Sequence, residues 1–285
     1  MTAAVMVGMD GSRECLAAAG WAAAEAASRR MPLRLVHVAE WPSTPEVPAP
    51  YGRAVDERAG RLLRVAADRA RRDHPGLEVV TERARGRVAE ELTAAADEAD
   101  LTVLGSRGLG GVWGFVVGSV SLSVVGSARR PVVLVRADDG HVVSEDGIVA
   151  GVDIDQPCEA LLAFSFDEAA RTGMPLRCVH SRTLPAPYGY AAVVDPEIGE
   201  ELRGRLLGVL DELLEPWRKR YGEVKVAAEV VVGPAAYQLV EASQTARLVV
   251  VGRRSRRLRL GPRPGHVAHA VLHHSPAPVA VVPSA

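Results

Sequence analysis

Residues 104–119 read LGSRGLGGVWGFVVGS, with six glycines in sixteen residues between a β-branched run and a helix-like segment. Glycine reaches positive φ and lets backbone N–H groups approach a ligand with no Cβ in between. Gly118 and Ser119 fall at the predicted start of a helix, where unpaired donors and a partial positive charge accumulate. Bare backbone beside a helix N-terminus suits a phosphate group, and the Ser119 hydroxyl could donate to the same anion. Two familiar phosphate motifs are excluded. The lysines, Lys219 and Lys225, are remote from any glycine-rich loop, so no G-x-x-x-x-G-K-[ST] exists. A dinucleotide fingerprint started at Gly108 would need its third glycine at Trp113, and the loop follows the fourth predicted strand rather than the first.

The elements that must hold this loop come in two copies. MPLRLVHV at 31–38 recurs as MPLRCVHS at 174–181, and VGMD at 7–10 as AGVD at 150–153. VLGSR at 103–107 meets VVGRR at 250–254, and RPVVLVR at 130–136 meets APVAVVP at 277–283. The displacement grows from 143 to 147, so the second copy gains four residues between its second strand and third helix. A chain of 285 residues has the length for two domains, here 1–138 and 146–285, joined through ADDGHVVSEDG at 137–147.

Within the first copy, apolar runs at 3–8, 32–39, 77–81, 101–104 and 131–135 read as strands buried on both faces. Ala-rich, Arg/Glu-laced segments at 13–30, 54–73, 87–99 and 119–128 read as amphipathic helices. The alternation predicts an α/β fold: two tandem doubly wound, five-stranded parallel-sheet, Rossmann-like domains with right-handed crossovers. If the first strand is central with the fourth beside it, MDGS at 9–12 and the glycine-rich loop meet in one crevice beyond the strands' carboxyl ends.

Gly105, Gly108, Gly118 and Ser119 spell G-x-x-G, nine residues, then G-S. This resembles the ATP-binding signature of universal stress proteins. Asp10 ending the first strand, VHV at 36–38 and PVVLV at 131–135 extend the resemblance, and the two copies match the tandem form of that family. The resemblance implies a ligand-dependent stress or signalling module that binds ATP, with or without Mg²⁺. It places Asp10 near the ribose and any metal, and the Val38 backbone at adenine. Leu104 and Gly105 would line the nucleotide, Arg107 and Gly108 would shape the loop, and Gly118, Ser119, Val120 and Ser121 would hold the phosphates. In the second copy Gly252 and Gly265 persist, but Ser255 replaces the second glycine, His266 the phosphate-facing serine, Ala268 the next hydroxyl, and Ser181 the adenine-side valine. Weak or absent nucleotide binding is expected at the corresponding Asp153, Gly252, Arg253 and Gly265, although six arginines between 253 and 263 could attract phosphate by charge.

Plainer roles stand beside these. Asp10, Asp153 and Ser119 are good helix N-caps. His37 and His180 have no nucleophile or metal-ligand partner in sequence and read as strand-end histidines, while His273 and His274 complement a helix C-terminus. No metal site and no catalytic residue is assigned. The rival reading is a slow metal-dependent ATP hydrolase or phosphoryl-transfer enzyme. That chemistry needs positioned metal ligands, a base and charge stabilisation, for which Asp10 and Arg107 are thin equipment.

A net charge of −1 gives no global attraction to nucleic acid or anionic membrane, and the arginine run lacks interleaved aromatics. No apolar run approaches the ~18 residues that span a bilayer. Cys15, Cys158 and Cys178 form no C-x-x-C pair and fit a reducing cytoplasm. The last strand of each copy, at 134–136 and 280–282, is expected at a sheet edge. By resemblance those edges pair in an intramolecular pseudo-dimer, and a homodimer of the chain is a further expectation.

Overall fold

The computed structural model describes residues 3–40, 49–106, 117–137, 147–183, 196–253 and 264–284. Arg107, Gly108, Ser255 and the arginines from 254 to 263 lie outside the described residues. The chain forms two compact units.

The first unit runs β1 (Val5–Gly8), α1 (Arg13–Arg29), β2 (Leu33–Glu40), α2 (Ala49–Asp73), β3 (Val79–Gly86), α3 (Val88–Glu98), β4 (Leu101–Ser106), α4 (Ser119–Ser127) and β5 (Val132–Arg136). Its strands pair in parallel in the order β3-β2-β1-β4-β5. Val5 registers with Leu33 on one side and Leu101 on the other, so β1 is central and the winding reverses between β1 and β4. Ligands in open α/β sheets collect beyond the carboxyl ends of such a strand pair.

The second unit repeats the plan with β6 (Ile148–Gly151), α5 (Glu159–Thr172), β7 (Leu176–Arg182), α6 (Pro196–Arg220), β8 (Val226–Val232), α7 (Ala235–Ala242), β9 (Leu248–Arg253), α8 (His266–His274) and β10 (Val279–Pro283). The parallel order is β8-β7-β6-β9-β10. The sequence repeat is thus a repeat of fold.

Local chemistry explains the element ends. α1 starts at Ser12, whose hydroxyl accepts from the Cys15 N–H, and stops at Arg30 with φ 55°, whose N–H bonds the Ala26 and Ala27 carbonyls. The central strands are apolar because both faces are covered: β1 and the first four residues of β4 are buried throughout. β3 departs from the expectation of a short run at 77–81. It extends through Thr81-Glu-Arg-Ala-Arg85 to Gly86 with alternating exposure, because an edge strand tolerates charge on its open face. Arg34 of β2 reaches across to Glu82 at 2.7 Å. In the second unit, fully buried Phe166 of α5 stacks on Trp217 of α6, with ring centroids 5.6 Å apart.

One glycine of the opening stretch answers to packing. A Cβ on Gly105 would sit 2.7 Å from the Glu14 carbonyl carbon and 2.8 Å from the Cys15 nitrogen, so α1 rests its first turn directly on β4. At the equivalent Gly252 a Cβ would meet only the Leu161 side chain, at 3.5 Å. Gly105→Ala is therefore expected to destabilise the first unit by about 1–3 kcal/mol through overpacking, whereas Gly252→Ala leaves stability close to the parent. Denaturant unfolding of both variants measures the difference.

Candidate functional site

The turn from β1 into α1 is built around Asp10. Its Oδ1 accepts from the Ser12 N–H at 2.9 Å and from the Ser12 hydroxyl at 2.6 Å, and Ser12 Oγ in turn accepts from Cys15 N–H at 3.1 Å. Asp10 is therefore not the helix cap that its residue type suggests; it orients the serine that is. Gly11, at φ 84°, donates its N–H to the Cys15 sulfur at 3.2 Å. In the second unit Asp153 does not cap either. Its Oδ1 accepts from Asp155 N–H, and α5 starts only at Cys158, with no side-chain cap bond.

Opposite this turn stands the start of α4. The N-cap is Gly118, not Ser119, which is the first residue inside the helix. Among the described residues no side chain caps that end, which leaves the first-turn N–H groups to solvent or a ligand. Gly118 has ordinary dihedrals, φ −62° and ψ 149°, and a Cβ there would meet nothing within 4 Å. Neither backbone strain nor packing demands a glycine at this position; what its bareness leaves is room.

The two ends face a cavity of about 300 Å³, at the lower end of the range for small-molecule sites. Its polar part is made by Asp10, Ser12, Gly118 and Ser119, and its apolar part by Val36, Val38, Val88, Leu92 and Leu104. Gly105, Val120 and Ser121 also line it, so eight of the ten residues singled out in the first copy converge there. Arg107 and Gly108 lie outside the described residues. Asp10 and Ser119 are exposed, whereas Val38 and Leu104 are buried. The Ser121 hydroxyl donates to the Gly105 carbonyl at 3.2 Å, which pins α4 to β4 and commits that proton to the protein.

Seven residues of the lining were not singled out as site residues; four of them, Gly8, Met9, Ser12 and Val36, belong to loops and strands already placed at the crevice, and three come from helices with no assigned role. Val88 and Leu92, an i,i+4 apolar pair on α3, form one wall. Cys15 forms part of the floor; burial pushes its thiol up, and so keeps it from acting as a nucleophile near neutral pH. The signal for α3 was its periodicity, but the strand order was needed to aim it at this crevice.

His37 and His180 play the same structural part in the two units. Their Nδ1 atoms lie 2.6 Å from the Met9 carbonyl oxygen and 3.0 Å from that of Val152, tying each second strand to the end of the first.

In the second unit, Gly252 and Arg253 end β9 and Gly265 is the N-cap of α8. Ser181, at the adenine-side position, donates its hydroxyl to the Gly233 carbonyl at 2.9 Å. Ala268 stands buried where Ser121 makes its tie. Leu239 comes within 2.7 Å of a Cβ built on Gly151, whereas its counterpart Leu92 stays 3.5 Å from one on Gly8. In the first unit Leu104 makes that approach instead, 2.7 Å from a Cβ on Gly8, so a leucine crowds the end of each central strand equally closely.

Among the described residues no helix is long and apolar enough to cross a membrane, and no group of three His, Cys, Asp or Glu could hold a metal ion.

A profile of the universal stress protein family matches residues 1–136 and again 146–283. A universal stress protein of Mycobacterium tuberculosis is 35% identical over 292 residues, covering 97% of this chain and 96% of its own. The crystal structure of a universal stress protein from Archaeoglobus fulgidus superposes with a TM-score of 0.74 at 17% identity, covering 98% of each chain, and so shares the fold. Another Archaeoglobus fulgidus universal stress protein, solved in complex with dAMP, aligns with 47% of this chain and 97% of its own at 23% identity and a TM-score of 0.36.

All three cysteines are free and buried, and burial is the leading cause that pushes Cys158 up to about 11 and Cys178 up to about 12. The folded thiols hold their protons where unfolded ones, near 9.0, give them up. Their contribution to stability is complete below pH 9 and is lost as pH rises towards 11–12. A disulfide thiol reagent at pH 8 should therefore label the native protein far more slowly than the denatured one.

Proposed function

The chain belongs to the universal stress protein family, and on that premise we propose that its first unit is a nucleotide-binding module whose ligand is an adenine nucleotide, ATP, with or without Mg²⁺. The observation that carries this reading is the pairing of an uncapped helix start at Gly118 with the Asp10–Ser12 turn across one cavity that is polar at one end and apolar at the other. Phosphate oxygens accept from the first-turn N–H groups of α4, favoured by the helix dipole, with the Ser119 hydroxyl alongside. The flat base lies against Val36, Val38, Val88 and Leu92, with the Val38 backbone at adenine. The Asp10 carboxylate lines the polar end of the same cavity, on the side of a ribose hydroxyl or a phosphate-bound cation.

The reading is binding rather than turnover. Among the described residues lining the cavity Asp10 is the one carboxylate, and phosphoryl transfer asks for more positioned charge than that. Occupancy then acts as the signal, in a cytoplasm that keeps the three thiols reduced. The second unit binds nucleotide weakly or not at all, since Ser181 is engaged elsewhere and His266 and Ala268 stand where the first unit has Ser119 and Ser121.

Native mass spectrometry of the untreated protein and its variants tests this. One adenine nucleotide per chain is expected, retained or titratable in the parent, weakened in Gly118→Ala, whose new methyl meets only the cavity, and lost in Ser119→Glu, which sets a carboxylate where phosphate should lie. Retention by Ser119→Glu, or two equivalents in the parent, contradicts the assignment. Brisk hydrolysis that disappears in Asp10→Ala would turn the reading towards an enzyme.

A further inference from the structure

The last helix of the second unit carries four of the chain's eight histidines, His266, His269, His273 and His274. α8 buries Ala268, Val271 and Leu272 against β9, β10 and α7. At 100° per residue this turns His266, His269 and His273 onto one stripe on the opposite side. His266 and His269 are exposed and His273 is half-buried. The His269 and His273 rings, one turn apart, lie with centroids 4.4 Å from each other and planes tilted by 32°. Two histidines at i and i+4 on one helical face form the chelating pair used by helix-borne zinc sites.

We propose that His269 and His273 form a two-imidazole clip for a borderline-soft divalent transition-metal ion, of the Zn²⁺, Ni²⁺ or Cu²⁺ class, with water completing the coordination. Metal–nitrogen bonds of about 2.0–2.1 Å place two ligating nitrogens on the order of 3 Å apart, a spacing compatible with rings whose centroids lie 4.4 Å apart. Imidazole donors select these ions over Mg²⁺ and Ca²⁺, which take oxygen ligands. With two protein ligands the site is exchangeable, suited to an ion that comes and goes rather than to one that holds the fold.

The inference is independent of nucleotide binding in the first unit, and its test keeps the two apart. Tag-free full-length chain, stripped with chelator and free of nucleotide, is titrated with ZnCl₂, NiCl₂ and MgCl₂ by calorimetry, and Cu²⁺ electron paramagnetic resonance counts nitrogen ligands. Expected are saturable Zn²⁺ and Ni²⁺ binding, no competition from millimolar Mg²⁺, and a Cu²⁺ spectrum with two nitrogens. One equivalent should be lost in His269→Asn and in His273→Asn and kept in Asp10→Ala. His269→Asn is exposed and keeps the fold, as circular dichroism verifies, so a lost site reports the ligand rather than unfolding. Unchanged Zn²⁺ binding in His269→Asn, displacement by Mg²⁺, or a Cu²⁺ spectrum without nitrogen would overturn the clip.

Discussion

The site in the first unit depends on one close approach, the first turn of α1 lying on the bare backbone of Gly105. Any side chain there would drive into the Glu14 and Cys15 backbone. Through that contact the Asp10–Ser12 turn is held over the end of β4. The same residue offers its carbonyl to Ser121, so α4 is anchored to the strand at the point where α1 touches it. A single glycine therefore sets the separation of the two loops, and with it the mouth of the cavity. Its freedom from a Cβ serves packing first and ligand access second, whereas at Gly118 the order is reversed.

The two units show how far topology and site can separate. Both have the same strand order, the same parallel pairing and the same histidine tie between the first two strands. These follow from the hydrophobic pattern, which tolerates exchange among Val, Leu, Ile and Ala. The cavity follows from a few short polar contacts and close approaches, and these have drifted. Cys158 stands where Ser12 would cap, Ala268 where Ser121 would tie, and α5 leaves Gly252 without a backbone neighbour. Between Asp153 and α5 no residue has been added, yet the helix starts later, and Asp153 Oδ1 accepts from the Asp155 N–H at the position where the first unit has Ser12. Loss of one hydroxyl or one turn costs the fold about 1 kcal/mol, so a duplicate can shed its site without shedding its sheet.

Much of this was legible in the residues. The repeat fixed two copies of one plan, and the alternation of apolar runs with Ala-rich helices fixed a parallel, doubly wound sheet. The crossover rule then named the crevice before any side chain was placed. Local rules failed where neighbours decided the outcome. Asp10 and Ser119 are favoured caps by type, yet Ser12 and Gly118 hold those positions, because capping depends on where the chain turns into the helix. β3 outran its apolar run because an edge strand is extended by pairing with β2 and not by its own burial. His273 read as a charge at a helix end; its ring contact with His269 needed the face of α8 that packing selects.

Composition and spacing thus determined the class of fold, the duplication and the loops that would meet, because each is written in periodicities that short-range sterics enforce. Only the tertiary structure decided which glycine bears packing and which leaves room, that α3 walls the cavity with Val88 and Leu92, and that Ser121 spends its proton on β4. Those outcomes turn on distances of a few tenths of an ångström between segments remote in sequence, and such distances are set by how whole layers pack rather than by any local preference of the chain.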